Sequence, residues 1–340
     1  MPISRQKLTF LLSALALVSA EWACPAAAQT VAPTPITINF GYASRSSIYW
    51  HMYVAEKKGF YADAGIDFKP VFVSSGYPGV AQGILARAFQ LGSLSADVAV
   101  PAIKNGADLI YVGSEMHVQP ISMIVQPTIK SFADIRGNKK VGSNSLRGGT
   151  AMLLRLIFKG QGIKEGTDYD MIVAGSSNDR LAGLRNKQLD VAMVGQPQDF
   201  QMQEMGFNSL GQASDWIKEF GFVEVWAKRE WAKGNEEAIV RFLRANARTI
   251  DWLYDPANKE EAVRILAAAT KTEDKYSRLT YEMLIEQKKS FTPKGEPSER
   301  AIDETIRILA EAGELKPGAP AVTGASITDK SFWQKAVQPR

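Results

Sequence analysis

One order of elements occurs twice in this sequence, in FQLGSLSADVAVPAIKNGADLIYVG (residues 89–113) and in KQLDVAMVGQPQDFQMQEMGFNSLG (residues 187–211). Each copy runs Gln-Leu, strand, polar turn, helix, glycine, strand. A strand followed by a helix and a second strand at this spacing predicts parallel pairing with a right-handed crossover. The two copies therefore predict two α/β sheets rather than one long sheet.

The same alternation continues on both sides of these copies. In the first half, the strands ITINFGYA (36–43) and IDFKPVFV (66–73) flank a helical segment that is closed by Gly59. In the second half, the strand NKKVGSNS (138–145) precedes the helical pattern TAMLLRLIFKGQG and the strand YDMIVAG. Each half therefore predicts a mostly parallel sheet flanked by helices, which is the α/β class.

Two extended apolar segments have no crossover partner of their own, ISMIVQPT (121–128) and FGFVEVWAKREW (220–231). We predict that they form two strands that cross between two lobes. Lobe one is then residues 29–119 and 221–340, and lobe two is residues 120–220. The helical spacing of the C-terminal part predicts that its helices pack back on lobe one.

The N-terminus has the pattern of a secretory signal peptide. Arg5 and Lys7 precede the apolar run LTFLLSALALVSA, and Ala26-Ala27-Ala28 offers a cleavage pattern before Gln29. We predict a signal peptide over residues 1–28 and a periplasmic mature protein. The only cysteine, Cys24, lies before this cleavage point. The mature chain then has no thiol for a disulfide, a nucleophile or an iron–sulfur cluster.

Composition and motifs argue against several classes of protein. The net charge is +4, with acids and bases interleaved along 340 residues, so we expect no nucleic-acid partner. We also expect a monomer. The chain has no G-x-S-x-G elbow, and His51 and His117 lie on separate segments without a second ligand at helical spacing. We therefore expect no catalytic residue, no metal and no cofactor.

The stretch VGSNSLRGGTAMLLR (141–155) places a glycine-rich turn before a helical pattern. Such a turn can present free backbone N–H groups to an anion, but the spacing fits neither a P-loop nor G-x-G-x-x-G. Two interpretations stay open. Either Thr150 or Ser145 caps an ordinary helix, or the loop holds the anionic end of a small ligand.

Three segments together carry a resemblance to a known family. They are YVAEKKGFYADAGIDFKPV (53–71), SFADIRGNKKVGSNS (131–145) and RLAGLRNKQLDVAMVGQP (180–197). In order and spacing the chain resembles the substrate-binding proteins of ABC importers that serve sulfonates, taurine and nitrate. That family shares its fold with thiamine-pyrimidine precursor proteins. One departure is Gly92, which we align with Asp190; we expect the aspartate to tie a strand end to its neighbour.

The resemblance implies a two-lobe periplasmic binding protein fold (type II-like), closing on a small anionic ligand for delivery to a permease and an ATPase. In open α/β sheets the ligand lies outside the carboxyl ends of the strands. Four loops of the sequence occupy that position: the first loop, residues 42–47, and the loops of residues 95–97, 145–150 and 195–197. The residues that we expect to bind the ligand are Tyr42, Ser44, Arg45, Ser46, Ser47, Ser95, Ala96, Asp97, Arg147, Gly149, Thr150 and Gln196.

Several of these roles have alternatives. Arg45 and Arg147 can each grip a carboxylate or sulfonate with two parallel hydrogen bonds, or be solvated loop residues. The aromatic side chains Tyr42, Tyr49 and Trp50 can line the ligand or belong to the core, and for Trp50 we favour the core. Asp97 can pair with a ligand amine or cap the next helix, and we favour the cap.

The sequence also leaves alternatives open for the function. A periplasmic sensor subunit would use the same closure on a ligand. A pyrimidine-precursor binding or synthesis protein shares the fold, but the synthases need a cysteine-rich iron motif that the mature chain lacks. The ligand itself stays open between a sulfonate, a carboxylate, an aromatic acid, nitrate and a pyrimidine precursor, as does the choice between Arg45 and Arg147 as the main anion clamp.

Overall fold

Ten strands lie in two five-stranded sheets in the part of the chain that the computed structural model describes, which is residues 34–116, 120–146, 149–175, 177–315 and 321–338. The predicted signal peptide lies outside these residues. The strands are β1 Ile36–Tyr42, β2 Ile66–Phe72, β3 Leu91–Leu94, β4 Leu109–Met116, β5 Ser122–Val125, β6 Lys139–Ser143, β7 Tyr169–Val173, β8 Val191–Val194, β9 Asn208–Gln212 and β10 Val223–Lys228.

Helices cover both sheets. They are α1 Trp50–Lys58, α2 Phe60–Asp63, α3 Tyr77–Leu85, α4 Ala96–Lys104, α5 Gly149–Gly160, α6 Ser177–Arg185, α7 Gln198–Glu204, α8 Ala213–Trp216, α9 Arg229–Gly234, α10 Glu236–Tyr254, α11 Lys259–Thr270, α12 Asp274–Tyr281, α13 Glu299–Glu311, α14 Gly324–Ile327 and α15 Ser331–Val337. A π-helical segment, Glu282–Gln287, follows α12, and short 3-10 turns occur at Ser47–Tyr49, Phe132–Asp134, Pro256–Asn258 and Pro293–Gly295.

The two sheets have the same topology. The first has the strand order β2-β1-β3-β10-β4 and the second has the order β7-β6-β8-β5-β9. In the first sheet only β10 runs antiparallel to its neighbours, and in the second sheet only β5 does so. Both come from the segments predicted to cross, because β5 follows β4 of the other sheet and β10 follows β9. The predicted two-lobe α/β fold is confirmed.

The repeat is real, but our alignment of its two copies is wrong by two residues. Leu91 pairs with Phe40 as Val191 pairs with Val141, so the residue that corresponds to Asp190 is Gln90 and not Gly92.

The side chains of both residues, Gln90 and Asp190, accept a hydrogen bond from the backbone of the neighbouring strand. Asp190 Oδ2 accepts the Lys140 N–H at 2.8 Å, and Gln90 Oε1 accepts the Asn39 N–H at 2.8 Å. The expected structural role of Asp190 is therefore present, and lobe one keeps it through an amide oxygen. Matching the letters Gln-Leu hid this equivalence, since carboxylate and amide oxygens accept alike.

The C-terminal helices pack on the first sheet, as the sequence predicts. Helix α10 buries Phe242, whose ring stacks on Phe40 of β1 at 5.3 Å between centroids. The indole N–H of Trp50 in α1 donates to the carbonyl oxygen of Ala262 in α11 at 3.0 Å. No helix in the described ranges combines the length and the apolar character that a bilayer crossing requires.

Candidate functional site

Loops from both sheets meet where parallel strands end at their carboxyl edges. Ser47, after β1, donates its backbone N–H to the carbonyl of Gln196, after β8, at 2.9 Å. Gly149 at the start of α5 donates its N–H to the carboxylate of Asp97, after β3. Both contacts join a loop of the first sheet to a loop of the second. The structure therefore brings together the four loops that the sequence singled out.

The predicted ligand residues differ in exposure. Arg147 lies outside the described residues. Ser44 is half-buried and Arg45 is exposed. The other nine are buried: Tyr42, Ser46, Ser47, Ser95, Ala96, Asp97, Gly149, Thr150 and Gln196.

Arg45 has a specific neighbour in this structure. Its guanidinium carbon lies 4.7 Å from the centroid of the Phe72 ring, within the range of a cation–π contact. Such a contact stabilises an exposed arginine by about 0.5–1 kcal/mol. The guanidinium thus stacks on β2 in the geometry seen here.

Asp97 is the buried acid of these loops. The N-cap role that we favour for Asp97 from the sequence is wrong, because Asp97 lies in the first turn of α4 and Ser95 is the N-cap residue. Its carboxylate accepts hydrogen bonds from the Ser95 hydroxyl, from its own backbone N–H and from Gly149, and Oδ2 has no partner among the described residues. Burial raises the pKa of Asp97 to about 6, against the opposing effect of these hydrogen bonds.

Replacing this acid with an amide is expected to stabilise the ligand-free protein at neutral pH. The folded pKa of about 6 lies above the ordinary 3.8, so wild-type stability falls as the pH rises from about 4 to about 6. Asp97→Asn removes that loss but also weakens one accepted hydrogen bond. We expect a net gain of about 1–2 kcal/mol at pH 7.5 that turns into a small net loss near pH 4, where only the weaker hydrogen bond remains.

Urea unfolding at both pH values measures this difference. Asp67→Asn is the matched control, because the Asp67 side chain is only partly buried and its hydrogen bond with Lys69 lowers its pKa, which gives the opposite sign. Equal destabilisation by Asp97→Asn at both pH values would contradict the prediction.

Gln196 is held by a network in lobe two that the sequence did not reveal. Its amide nitrogen donates to Pro120 O, to Ser122 Oγ at 3.2 Å and to Asp199 Oδ2 at 2.8 Å, and Ser122 Oγ donates to Asp199 at 2.6 Å. The amide oxygen, Oε1, is buried and has no partner among the described residues. Ser122 and Asp199 thus position Gln196 and leave its acceptor free.

The start of α5 excludes one of the two capping residues proposed from the sequence. The helix begins at Gly149, so Thr150 lies in its first turn and is not the N-cap. A side chain added at Gly149 would meet Asp97, because a Cβ there would lie 3.1 Å from Oδ1. Glycine is therefore the residue that allows the helix start to approach the opposite lobe.

The aromatic residues near the first loop belong to the core. Trp50 and Tyr49 are fully buried, and Trp50 packs edge-on against Tyr281 at 5.8 Å between centroids. Tyr42 is 8% exposed and packs edge-on against Tyr49 and Phe72. The core interpretation that we favour for Trp50 agrees with this packing.

Comparison with known proteins places the chain in a family. A model of the family described as "NMT1/THI5 like" matches residues 49–259, more than half of the chain. The chain belongs to the NMT1/THI5-like family. A relative by sequence is the nitrate/nitrite binding protein NrtA of Synechococcus elongatus, 26% identical over 168 residues. This match covers 47% of the chain and only 36% of that relative's length.

Solved structures share the fold of this family member. The alkanesulfonate-binding protein SsuA from Xanthomonas axonopodis pv. citri, bound to MOPS, superposes with a TM-score of 0.71 at 15% identity, covering 88% of this chain and 100% of that chain. The ligand-binding component of an ABC-type import system from Staphylococcus aureus has a TM-score of 0.73 at 12% identity, covering 88% and 99%. These similar proteins are named as binding proteins rather than enzymes, in agreement with the expectation from sequence.

A second buried polar cluster lies behind the first loop. His51 Nε2 is 2.9 Å from Glu115 Oε1, and the Ser93 hydroxyl donates to Glu115 Oε2 at 2.5 Å. Glu224 on β10 is also buried, and burial raises its pKa well above the usual range although Tyr111 and Ser114 oppose the shift. Among the described residues, no three His, Cys, Asp or Glu side chains are grouped as a metal site requires. His51 is thus a paired core residue, and His117 lies outside the described residues.

Proposed function

We propose that this protein is an extracytoplasmic solute-binding protein that captures a small organic anion between its two lobes and delivers it to an ABC importer. The observation that carries the proposal is the contact of loops from both sheets, with Ser47 N–H on Gln196 O at 2.9 Å. A site that is half built by each lobe forms when the lobes close and opens when they part. Capture and release of a solute need this property.

The names of similar proteins support the class of ligand and partner. One relative binds nitrate or nitrite, one structural neighbour binds alkanesulfonates, and another serves an ABC-type import system. On this basis we propose an anionic ligand and permease and ATPase partners. We also propose that cleavage before Gln29 gives a monomeric, periplasmic mature protein. The anion clamp is proposed to be Arg147, with the Thr150 N–H of the α5 start, rather than Arg45. The Gly149 N–H is already donated to Asp97.

Ligand-driven closure is the expected result that tests this function. Mature protein purified under native conditions should carry a small organic acid that native mass spectrometry detects. After the acid is stripped by unfolding and refolding, X-ray scattering should give a larger radius of gyration, and adding the same acid should reverse the change. The contacts made by Ser47 and Asp97 across the lobes supply the closed geometry.

Two results would count against the proposal. An unchanged radius of gyration at saturating acid would argue against closure. A bound molecule that carries no acidic group would argue against the organic-anion class and leave the binding-protein class in place.

A further inference from the structure

Three buried side-chain oxygens in the meeting loops have no hydrogen-bond partner among the described residues. They are Ser47 Oγ after β1, Asp97 Oδ2 after β3 and Gln196 Oε1 after β8. More than about 90% of buried polar groups in folded proteins are bonded, so each exception needs a reason. Their occurrence in loops of one cleft, from both lobes, points to a bonding partner that is not part of the chain.

The neighbourhood of these atoms shows that they lie where the lobes touch. Ser47 and Gln196 are joined by the backbone hydrogen bond of 2.9 Å. Asp97 accepts the Gly149 N–H of the opposite lobe. A molecule enclosed between the lobes is therefore within the reach of groups from each of them.

The chemistry of the three atoms selects one kind of partner. An ionised carboxylate oxygen and an amide oxygen can only accept hydrogen bonds, and the serine hydroxyl can accept as well as donate. The missing partner is thus a donor. Asp97 adds a negative charge, is 5% exposed, and forms no ion pair among the described residues. A buried carboxylate without a counter-charge is costly, and an N–H donor that carries positive charge lowers that cost.

We infer that Asp97 is a specificity-determining residue, which with Gln196 Oε1 and Ser47 Oγ selects ligands that carry an N–H donor such as a protonated amine or an amidine. This inference rests on the proposed function, since it concerns the ligand of the same cleft. The captured molecule is then an amphoteric organic acid, with its N–H group at Asp97. Inorganic anions and acids without an N–H group leave the three acceptors unpaired, and they bind more weakly.

Matched pairs of acids test the inference by calorimetry. Each pair differs only in an amino group: 3-aminopropanoate and propanoate, 2-aminoethanesulfonate and ethanesulfonate, 4-aminobenzoate and benzoate. In every pair that binds wild-type protein, we expect the amino compound to bind about ten- to a hundredfold more tightly. Asp97→Asn should reduce that preference to about threefold or less, while the acid without the amine binds as well or better because the repulsion by the carboxylate is gone.

The control variant is Asp67→Asn, which removes a half-buried acid that pairs with Lys69 in lobe one and should leave the preference unchanged. Equal binding of both members of a pair by wild-type protein overturns the inference whether or not Asp97→Asn folds, and leaves the organic-anion proposal intact. A preference that survives in folded Asp97→Asn also overturns it. If no acid of any pair binds, the organic-anion proposal fails, and the inference fails with it.

Discussion

Arg147→Ala is expected to weaken binding of the organic acid found in the purified protein by about ten- to a hundredfold. A charge-assisted hydrogen bond contributes roughly 1.5–3 kcal/mol, and the proposed closure would exclude water from it. Arg147→Lys should recover only part of the affinity, because an ammonium keeps the charge but loses the planar fork of two parallel donors. Stability should barely change, because the sequence places Arg147 in a polar, glycine-rich stretch rather than in an apolar run. Calorimetry on both variants, with a thermal melt of each, measures the effect.

Arg45→Ala is the matched control for this experiment. Its guanidinium stacks on Phe72 at 4.7 Å and the side chain is exposed, so its loss should change affinity by less than about threefold. Wild-type affinity in Arg147→Ala together with a large loss in Arg45→Ala would move the anion clamp to the first loop. Wild-type affinity in both variants would return the glycine-rich stretch 141–155 to the role of a helix entry.

Trp50→Ala is expected to lower the free energy of unfolding by about 3–5 kcal/mol. The indole is fully buried, packs edge-on against Tyr281, and donates to the Ala262 carbonyl at 3.0 Å. Truncation creates a cavity between α1 and α11 and leaves that carbonyl without the indole donor. Chemical denaturation, followed by circular dichroism because the substitution removes a fluorophore, measures the loss.

Trp333→Ala provides the comparison, because this tryptophan is only half-buried and donates to Lys294 O at 3.0 Å at the surface. We expect a loss there of about 1–2 kcal/mol. If Trp50→Ala kept wild-type stability and lost ligand affinity, Trp50 would line the ligand site, and the core assignment would be wrong.

Local sequence patterns were sufficient for most of the fold. The alternation of apolar runs and helical spacing located the strands near β1, β2, β6 and β7, because side-chain burial repeats every second residue in a strand and every third or fourth in a helix. The segments 121–128 and 220–231 were recognised as crossing strands because they lacked a helix that leads to a parallel partner. The register of the repeat was missed, since the sequence letters Gln-Leu matched at the wrong offset while Gln90 and Asp190 make the same bond.

The candidate site, like the fold, was predictable from the sequence only in part. Its loops were predictable, because parallel strands present their carboxyl ends at one edge and the residues that follow are short, polar or glycine. Its bonding was not. Ser122 and Asp199 are 77 residues apart, and His51 and Glu115 are 64 apart, so no local pattern records that they meet.

The sequence by itself determined the α/β fold class, the order of the strands and helices, and the loops at the carboxyl ends of the strands. These features depend on periodicity and on short-range backbone preferences. Only the tertiary structure decided which atoms in those loops are already bonded. Gln196 has its nitrogen engaged and its oxygen free, Asp97 has one free oxygen against the opposite lobe, and Arg45 stacks on Phe72. Hydrogen bonds and burial depend on residues brought together from distant parts of the chain, and they set what a ligand has to supply.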